Sequence, residues 1–196
     1  MKIYIVLTHT GTILSRIIRL LTKNQYTHAS ISLDVNMIGM YSFGRLNPCN
    51  PFIGGFVREG INIGTFKRFK NTRTEVYSLE VTKDEYTRLR EIIKQISINR
   101  NIYGFNIAGL LFALFHKRLV RRNKFYCSEF VRYILEESSI RTEEISKVIK
   151  PEDFRKLKIL NLEYKGLLRK YDTDSIVRID DNIKRLELYK ISEVMG

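Results

Sequence analysis

Apolar and polar positions along the chain follow two periods, one of about two residues and one of about three to four, and these separate strands from helices. Lys2 to Leu7 is β-branched and aromatic, which predicts a buried first strand. After Thr10-Gly11-Thr12 the period lengthens. Ile13, Ile17, Ile18 and Leu21 recur at helical spacing with Ser15, Arg16 and Arg19 between them. His28 to Leu33 predicts a second strand, Asp34-Val35-Asn36 a turn, and Met37 to Phe43 the return strand of a hairpin. Asn47-Pro48-Cys49-Asn50-Pro51 and Gly54-Gly55 read as loop. Strands follow at Phe56 to Ile63 and Glu75 to Val81, with a basic segment from Phe66 to Arg73 between them.

Helices dominate the next stretch. Thr82-Lys83-Asp84-Glu85 carries the pattern of a capping box, and Leu89, Ile92, Ile93 and Ile96 mark the buried stripe behind it. Asn106 to Phe115 predicts a second helix, and Tyr126 to Glu137 a third, with Phe130, Val131 and Ile134 facing in. Lys117 to Lys124 is a basic connection between those two. Pro151-Glu152-Asp153-Phe154 starts a short helical turn, and Ile159 to Tyr164 and Leu186 to Ile191 are candidate closing strands. Hairpins followed by helices predict an α+β fold, a mostly antiparallel sheet packed against helices. At 196 residues, with 44% hydrophobic positions and only 3 prolines and no linker-like stretch, a single domain over residues 1–196 is expected.

The N-terminal apolar run is too short for a signal-peptide core. Ile107 to Phe115 is about half of the ~20 residues that a membrane span requires. A soluble, cytoplasmic protein is therefore expected. The net charge of +13 favours an anionic partner, or else simply a solvated basic surface. Arg118, Arg121, Arg122 and Lys124, with Lys67, Arg68 and Lys70, would form the patch of a nucleic-acid or anionic-partner binding module. No nucleic-acid motif accompanies them, so nucleic acid is the weaker expectation. Cys49 and Cys127 are the two cysteines, and neither belongs to a CxxC pair. No metal and no cofactor are expected.

Cys127 begins a predicted helix, where free amides and a partial positive charge lower a thiol pKa and can hold a developing oxyanion. The alternative is a small hydrophobe packed in a helix. His28 begins a strand whose alternate residues, Ser30 and Ser32, are small and polar, a rigid place for a base. His9, just after the first strand, stands in reserve. His116 ends an apolar helix beside Lys117 and suits a helix C-terminal role.

Tyr126-Cys127-Ser128-Glu129-Phe130-Val131 resembles the cysteine helix of NlpC-type peptidases. In those enzymes the cysteine precedes the histidine. Here His28 comes first, an order that resembles the circularly permuted papain-like cysteine hydrolases, a group with YiiX-type proteins and relatives of lecithin retinol acyltransferase. Thr12 to Ile18 followed by Tyr26-Thr27-His28-Ala29-Ser30-Ile31 resembles the entry helix and histidine strand of that group. Tyr103 to Leu111 resembles the apolar stretch before its cysteine. Together these stretches cover about residues 1–140.

The resemblance implies a permuted papain-like fold and a thiol hydrolase or acyltransferase acting on an amide or ester, with Cys127 as nucleophile and His28 as base. It also implies a polar third residue on the strand after the histidine strand. Counting along the hairpin gives Tyr41-Ser42, and alternation favours Ser42. A hydroxyl holds the imidazole tautomer without stabilising its charge, which leaves room for a catalytically degenerate member. Tyr26 either offers a hydroxyl to the oxyanion or packs the helix. Glu129 is expected to stabilise its helix N-terminus. Arg121 and Arg122, near the nucleophile in sequence, are expected at a rim of the cleft, where they would favour a small anionic or lipid-like substrate, or a peripheral membrane contact. The absence of a secretion signal weighs against intact cell wall as substrate.

Overall fold

The computed structural model describes residues 1–47, 50–140 and 142–171. The apolar N-terminal run forms β1 (Lys2–His9), one of the two middle strands of a six-stranded sheet. The chain then passes through α1 (Ile13–Thr22) to β2 (His28–Ser32), β3 (Met40–Asn47) and β4 (Asn50–Glu59). A short α2 (Gly64–Arg68) leads to β5 (Arg73–Glu80) and the long α3 (Lys83–Ile98). Next come β6 (Gly104–Phe105), α4 (Ile107–Leu114), β7 (Lys124–Phe125) and α5 (Cys127–Glu137), then α6 (Glu143–Ser146) and β8 (Asn161–Leu167). The large sheet runs β4-β3-β2-β1-β5-β8 with every pair antiparallel, while β6 and β7 pair in parallel beside it. The architecture is α+β, as the pattern of elements predicts.

Alternation sorts β1 and its neighbours onto two covered faces, which is why β1 reads as a continuous apolar run. Ile3, Ile5 and Leu7, with Ala29, Ile31, Phe43 and Leu79, share a core with Leu89, Ile93 and Ile96 of α3 and Phe130, Val131 and Ile134 of α5. Tyr4, Val6, Met40 and Val76 face the other way and meet Phe66 of α2, Leu168 and Tyr171. Within the first core Phe130 packs against Phe43 at 5.1 Å and against Phe56 at 5.8 Å between ring centroids, with tilted and edge-on geometries that suit the aromatic quadrupole.

Three local expectations change. The return strand starts at Met40 rather than Met37, because Met37 takes a left-handed φ of 53° in the turn. Gly54-Gly55 lies inside β4 rather than in a loop. A Cβ on Gly54 would sit 2.8 Å from the Phe105 ring, so glycine here permits β6 to close over the strand. The last strand among the described residues is β8, Asn161–Leu167, displaced by two to three residues from the expected span. Cys49 and the expected strand from Leu186 to Ile191 lie outside the described residues.

α1 starts where its sequence indicates: Thr12 accepts from the Ser15 amide at 3.3 Å. Its apolar positions do not all enter the core, however. Ile17 is 49% exposed, Leu20 81% and Leu21 64%. The neighbouring α4 also leaves Leu111 and Phe112 in solvent, with Phe115 just beyond at 76%. None of the described helices is long and apolar enough to cross a membrane.

Truncation of Phe130, fully buried and ringed by Phe43, Phe56 and Phe125, tests this packing. Phe130→Ala is expected to cost about 3–5 kcal/mol, read as a lowered urea midpoint. A loss under about 1 kcal/mol would mean that α5 is not held by this contact.

Candidate active site

Cys127 is the first residue of α5, after an extended Tyr126. The amides of that first helical turn have no carbonyl partner in the preceding turn, an arrangement able to hold a negatively charged oxygen. The start of α5 is clamped on several sides. Glu129 is buried, and its Oε2 accepts from the Tyr126 amide at 3.3 Å and from Asn106 Nδ2 at 3.1 Å. Burial pushes the Glu129 carboxyl above the usual carboxylate range against those two donors. Asn106 Nδ2 also donates to the Leu119 carbonyl at 2.8 Å, and its Oδ1 caps α4 by accepting from the Gly109 amide at 2.9 Å. Ser128 Oγ donates to the Ile149 carbonyl at 2.8 Å. Glu129 therefore stabilises the helix start, as expected. Asn106 is the buried hub that ties α4 to α5.

His28 is the first residue of β2 and pairs with Thr8 of β1. The Cys127 side chain lines the same cleft as this ring and adds to the upward pull on its pKa. On its other side, Nε2 is 3.1 Å from each carboxylate oxygen of Glu59. Ser30 Oγ donates to Glu59 Oε2 at 2.6 Å and fixes that carboxylate. With Nε2 engaged by Glu59, Nδ1 is the nitrogen left to serve the thiol. The ring is 20% exposed and the carboxylate 15%. Burial alone would depress the His28 pKa. The Glu59 charge, followed by the hydrogen bonds to Cys127 and Glu59, outweighs it and raises the pKa to about 10. An imidazole held by a carboxylate can exchange a proton with a neighbouring cysteine.

Ser42 does not hold this position. It is buried, and its Oγ donates to the Ala29 carbonyl at 2.7 Å. The β2–β3 register pairs Ser32 with Met40 and Ile31 with Tyr41, which brings Ser42 level with the middle of β2 and its hydroxyl onto the β2 backbone. The β3 residue beside the imidazole is Gly44, where a Cβ would lie 3.5 Å from His28 Cε1 and 3.9 Å from Glu59 Oε1. Without a side chain there, a carboxylate from β4, one strand further out, reaches across β3. Sequence reasoning stopped at β3 and missed Glu59. One signal was present: Glu59 is the only acidic residue between Asp34 and Glu75, and it ends a strand in Val57-Arg58-Glu59-Gly60.

Two further expectations are corrected. Tyr26 packs in the core with its ring beneath the Arg155 guanidinium at 5.7 Å, and its hydroxyl accepts from Gln25 Nε2 at 3.2 Å. It does not line the cleft at Cys127, so it is no oxyanion donor there. Arg121 and Arg122 are exposed in the turn closed by the Arg121–Lys124 bridge and do not line the cleft either. Arg118 is turned away as well, donating to the Ser146 carbonyl. Asn106 Nδ2 holds the connection at the Leu119 carbonyl. Of the other histidines, His116 Nε2 meets Lys150 Nζ at 2.8 Å, and His9 is buried with Nδ1 3.4 Å from Thr27 Oγ1.

The cleft over Cys127 and His28 encloses about 80 Å3. Thr10, Thr12, Ser15 and Thr27 supply hydroxyls on one side, and Ile18, Phe66, Phe105 and Leu110 supply apolar walls. Among the described residues no group of three His, Cys, Asp or Glu side chains is placed to hold a metal ion.

Replacing Glu59 tests who orients the base. A pKa raised from 6.5 to about 10 contributes stability that is fully present below about 6.5 and is lost as pH rises through about 10. In Glu59→Gln, the largest contribution opposing burial is lost, so the His28 titration followed by NMR should fall markedly, and that pH dependence of stability should shrink with it. Ser42→Ala should leave the titration in place. The opposite pattern would return the role to Ser42.

Compared with known proteins, the chain matches no family model, and no curated protein is similar to it. The functional reading therefore rests on the geometry of Cys127, His28 and Glu59.

Proposed function

We propose that the chain is a cysteine-dependent hydrolase or acyltransferase of circularly permuted papain-like type, acting on an amide or ester. The observation that carries this reading is His28 set between Cys127, at a helix start, and Glu59, at 3.1 Å. The Cys127 thiolate attacks the carbonyl carbon, and the oxygen takes the charge near the first amides of α5. The tetrahedral adduct collapses, the C–O or C–N bond breaks, and the His28 imidazolium delivers its proton to the leaving group. Water or an amine then attacks the thioester, His28 takes its proton, and the thiolate leaves. Glu59 keeps the ring oriented and offsets its positive charge, which Ser42 would not. A carboxylate in this place favours an active over a degenerate site.

The substrate side is amphiphilic on this reading. Ile18 of α1 and Leu110 of α4 line the cleft, and the same two helices expose Leu20, Leu21, Phe112 and Phe115. Arg16, Arg19, Lys117 and Arg118 flank them, and residues 1–33 and 92–128 contain no Asp or Glu. Exposed aliphatic and aromatic side chains with cations near them in the sequence suit an anionic lipid surface better than nucleic acid, which gains nothing from an exposed leucine.

Two measurements test these proposals. In a Cys49→Ser background, iodoacetamide should label Cys127 rapidly at neutral pH, and His28→Ala should slow labelling at least about tenfold. Equal rates would sink the dyad. Leu20→Ser with Phe115→Ser should lower partition onto phosphatidylglycerol vesicles by more than about tenfold, since each buried side chain contributes about 1.5–3 kcal/mol. Unchanged partition would remove the lipid surface as partner.

A further inference from the structure

Pro151-Glu152-Asp153-Phe154 opens a short 3-10 turn, Pro151–Lys156, and none of its residues lines the cleft over Cys127. The turn is firmly joined to the chain before it. Phe154 is fully buried, and Asp153 Oδ2 accepts from the Ile149 and Lys150 amides at 3.1 and 2.9 Å. The segment reaches both halves of the site. On one side the Ile149 carbonyl accepts from Ser128 Oγ at 2.8 Å, and the Val148 carbonyl accepts from Arg132 Nη1 at 2.9 Å. Ser128 follows Cys127, so the first of these bonds holds the opening turn of α5. On the other side Glu152 Oε2 accepts from the Gln25 and Tyr26 amides, both at 3.1 Å. Tyr26 stands two residues before His28.

Glu152 is itself held in place. Its other oxygen pairs with Arg155 Nη1. Arg155 donates in turn from Nε to Glu75 Oε2 at 2.8 Å and from Nη2 to Glu75 Oε1 at 3.3 Å. Glu75 is 1% exposed and lies on β5, in register with Leu7 of β1. Burial would raise its pKa, yet hydrogen bonds from Tyr77 and Lys165, then Arg155, hold the carboxyl below its ordinary range, so it stays charged and anchors Arg155. Contacts thus run from β5 through Glu75, Arg155 and Glu152 to the chain entering β2. The Tyr26 ring lies under the same guanidinium, and the Thr27 amide donates to the Thr8 carbonyl at 3.0 Å. A five-residue strand has little ladder of its own to fix where its first residue stands. Two charge-assisted hydrogen bonds just before it supply that constraint.

We propose that Glu152 is a positioning residue: by tying the entry to β2 onto the segment that also holds the start of α5, it sets where His28 stands relative to Cys127. Its meaning for catalysis rests on the proposed function, whereas the bracket itself stands on the hydrogen bonds alone. Glu152 acts through the backbone before His28 and not on substrate.

The test uses the full chain in the Cys49→Ser background. It compares Glu152→Ala with Glu152→Gln, which keeps an oxygen at the same reach for the two amides, and with Leu89→Ala, which truncates a fully buried side chain of α3. In Glu152→Ala the pH profile of iodoacetamide labelling at Cys127 should move up toward that of an ordinary thiol, near about pH 8.5, with labelling near pH 6 slowed at least about fivefold. The midpoint of the His28 titration, followed by NMR, should fall by about 0.5 or more as the ring shifts against Cys127 and Glu59. Glu152→Gln should restore most of both changes. Leu89→Ala should lower the urea midpoint and move neither readout, which separates positioning from stability. Should Glu152→Ala fail to fold, Glu152→Asp, one methylene short of the amides, should move both readouts in the same direction. A shift in either readout that glutamine reverses supports the role. Unchanged readouts in Glu152→Ala, or changes that Leu89→Ala or Glu152→Gln shares in full, overturn it. If wild-type Cys127 labels as an ordinary thiol and His28→Ala changes nothing, the proposed function falls, and the His28 titration decides the bracket by itself.

Discussion

The site depends on how α5 is seated on the sheet. Phe130 is wedged between Phe43 of β3 and Phe56 of β4, one turn into the helix that Cys127 begins. That contact sets the height of the helix start above the sheet, and hence whether the thiol meets the end of β2, where His28 stands. The polar anchors at the same end add direction. Glu129 and Asn106 hold the turn before Cys127, and Ser128 and Arg132 bind the carbonyls of Ile149 and Val148. Such buried hydrogen bonds contribute little net free energy but leave few alternative placements, since each orphaned polar group would be costly.

The sheet supplies the other half of the site by leaving one stretch of a face polar and sparse. Ser30, Ser42 and Gly44 are small, so the His28 ring and the Glu59 carboxylate share a space that larger residues would fill. The odd positions of the same strands carry Ala29, Ile31 and Phe43 into the core. One alternation thus builds a hydrophobic seat for α5 on one side and a charged pair on the other. The pair is partly wet, which moderates its attraction. Its electrostatic effect still exceeds the cost of burying the imidazolium, so His28 is raised rather than lowered.

Charge and apolar surface are distributed around the cleft by the same few elements. α1 gives Ile18 and Ser15 to the cleft, Arg16 to a separate pocket beside His9 and Arg73, and Leu20 and Leu21 to solvent. A ten-residue helix therefore borders three environments, which its amphipathic pattern alone does not reveal. Its apolar stripe would ordinarily signal core. Here much of it faces water beside α4.

Much was legible in the sequence because it is encoded locally. The run from Ile3 to Leu7, the capping pattern at Thr82, the Thr12 cap and the helix opened by Cys127 depend on neighbours within a few residues, and those elements formed. His28 and Cys127 could be singled out because each begins an element and because of the motif resemblance. What the sequence could not reach were relations across strands. Ser42 and Glu59 are both polar residues on strands after His28, and alternation permits either to face it. The choice was made by the register of β2 on β3, by the missing side chain at Gly44, and by the length of a glutamate reaching over an intervening strand. Likewise, Arg121 and Arg122 are close to Cys127 along the chain, yet neither lines the cleft. Only folding decides which cations border the cleft, because electrostatic reach is measured through space and not along the backbone.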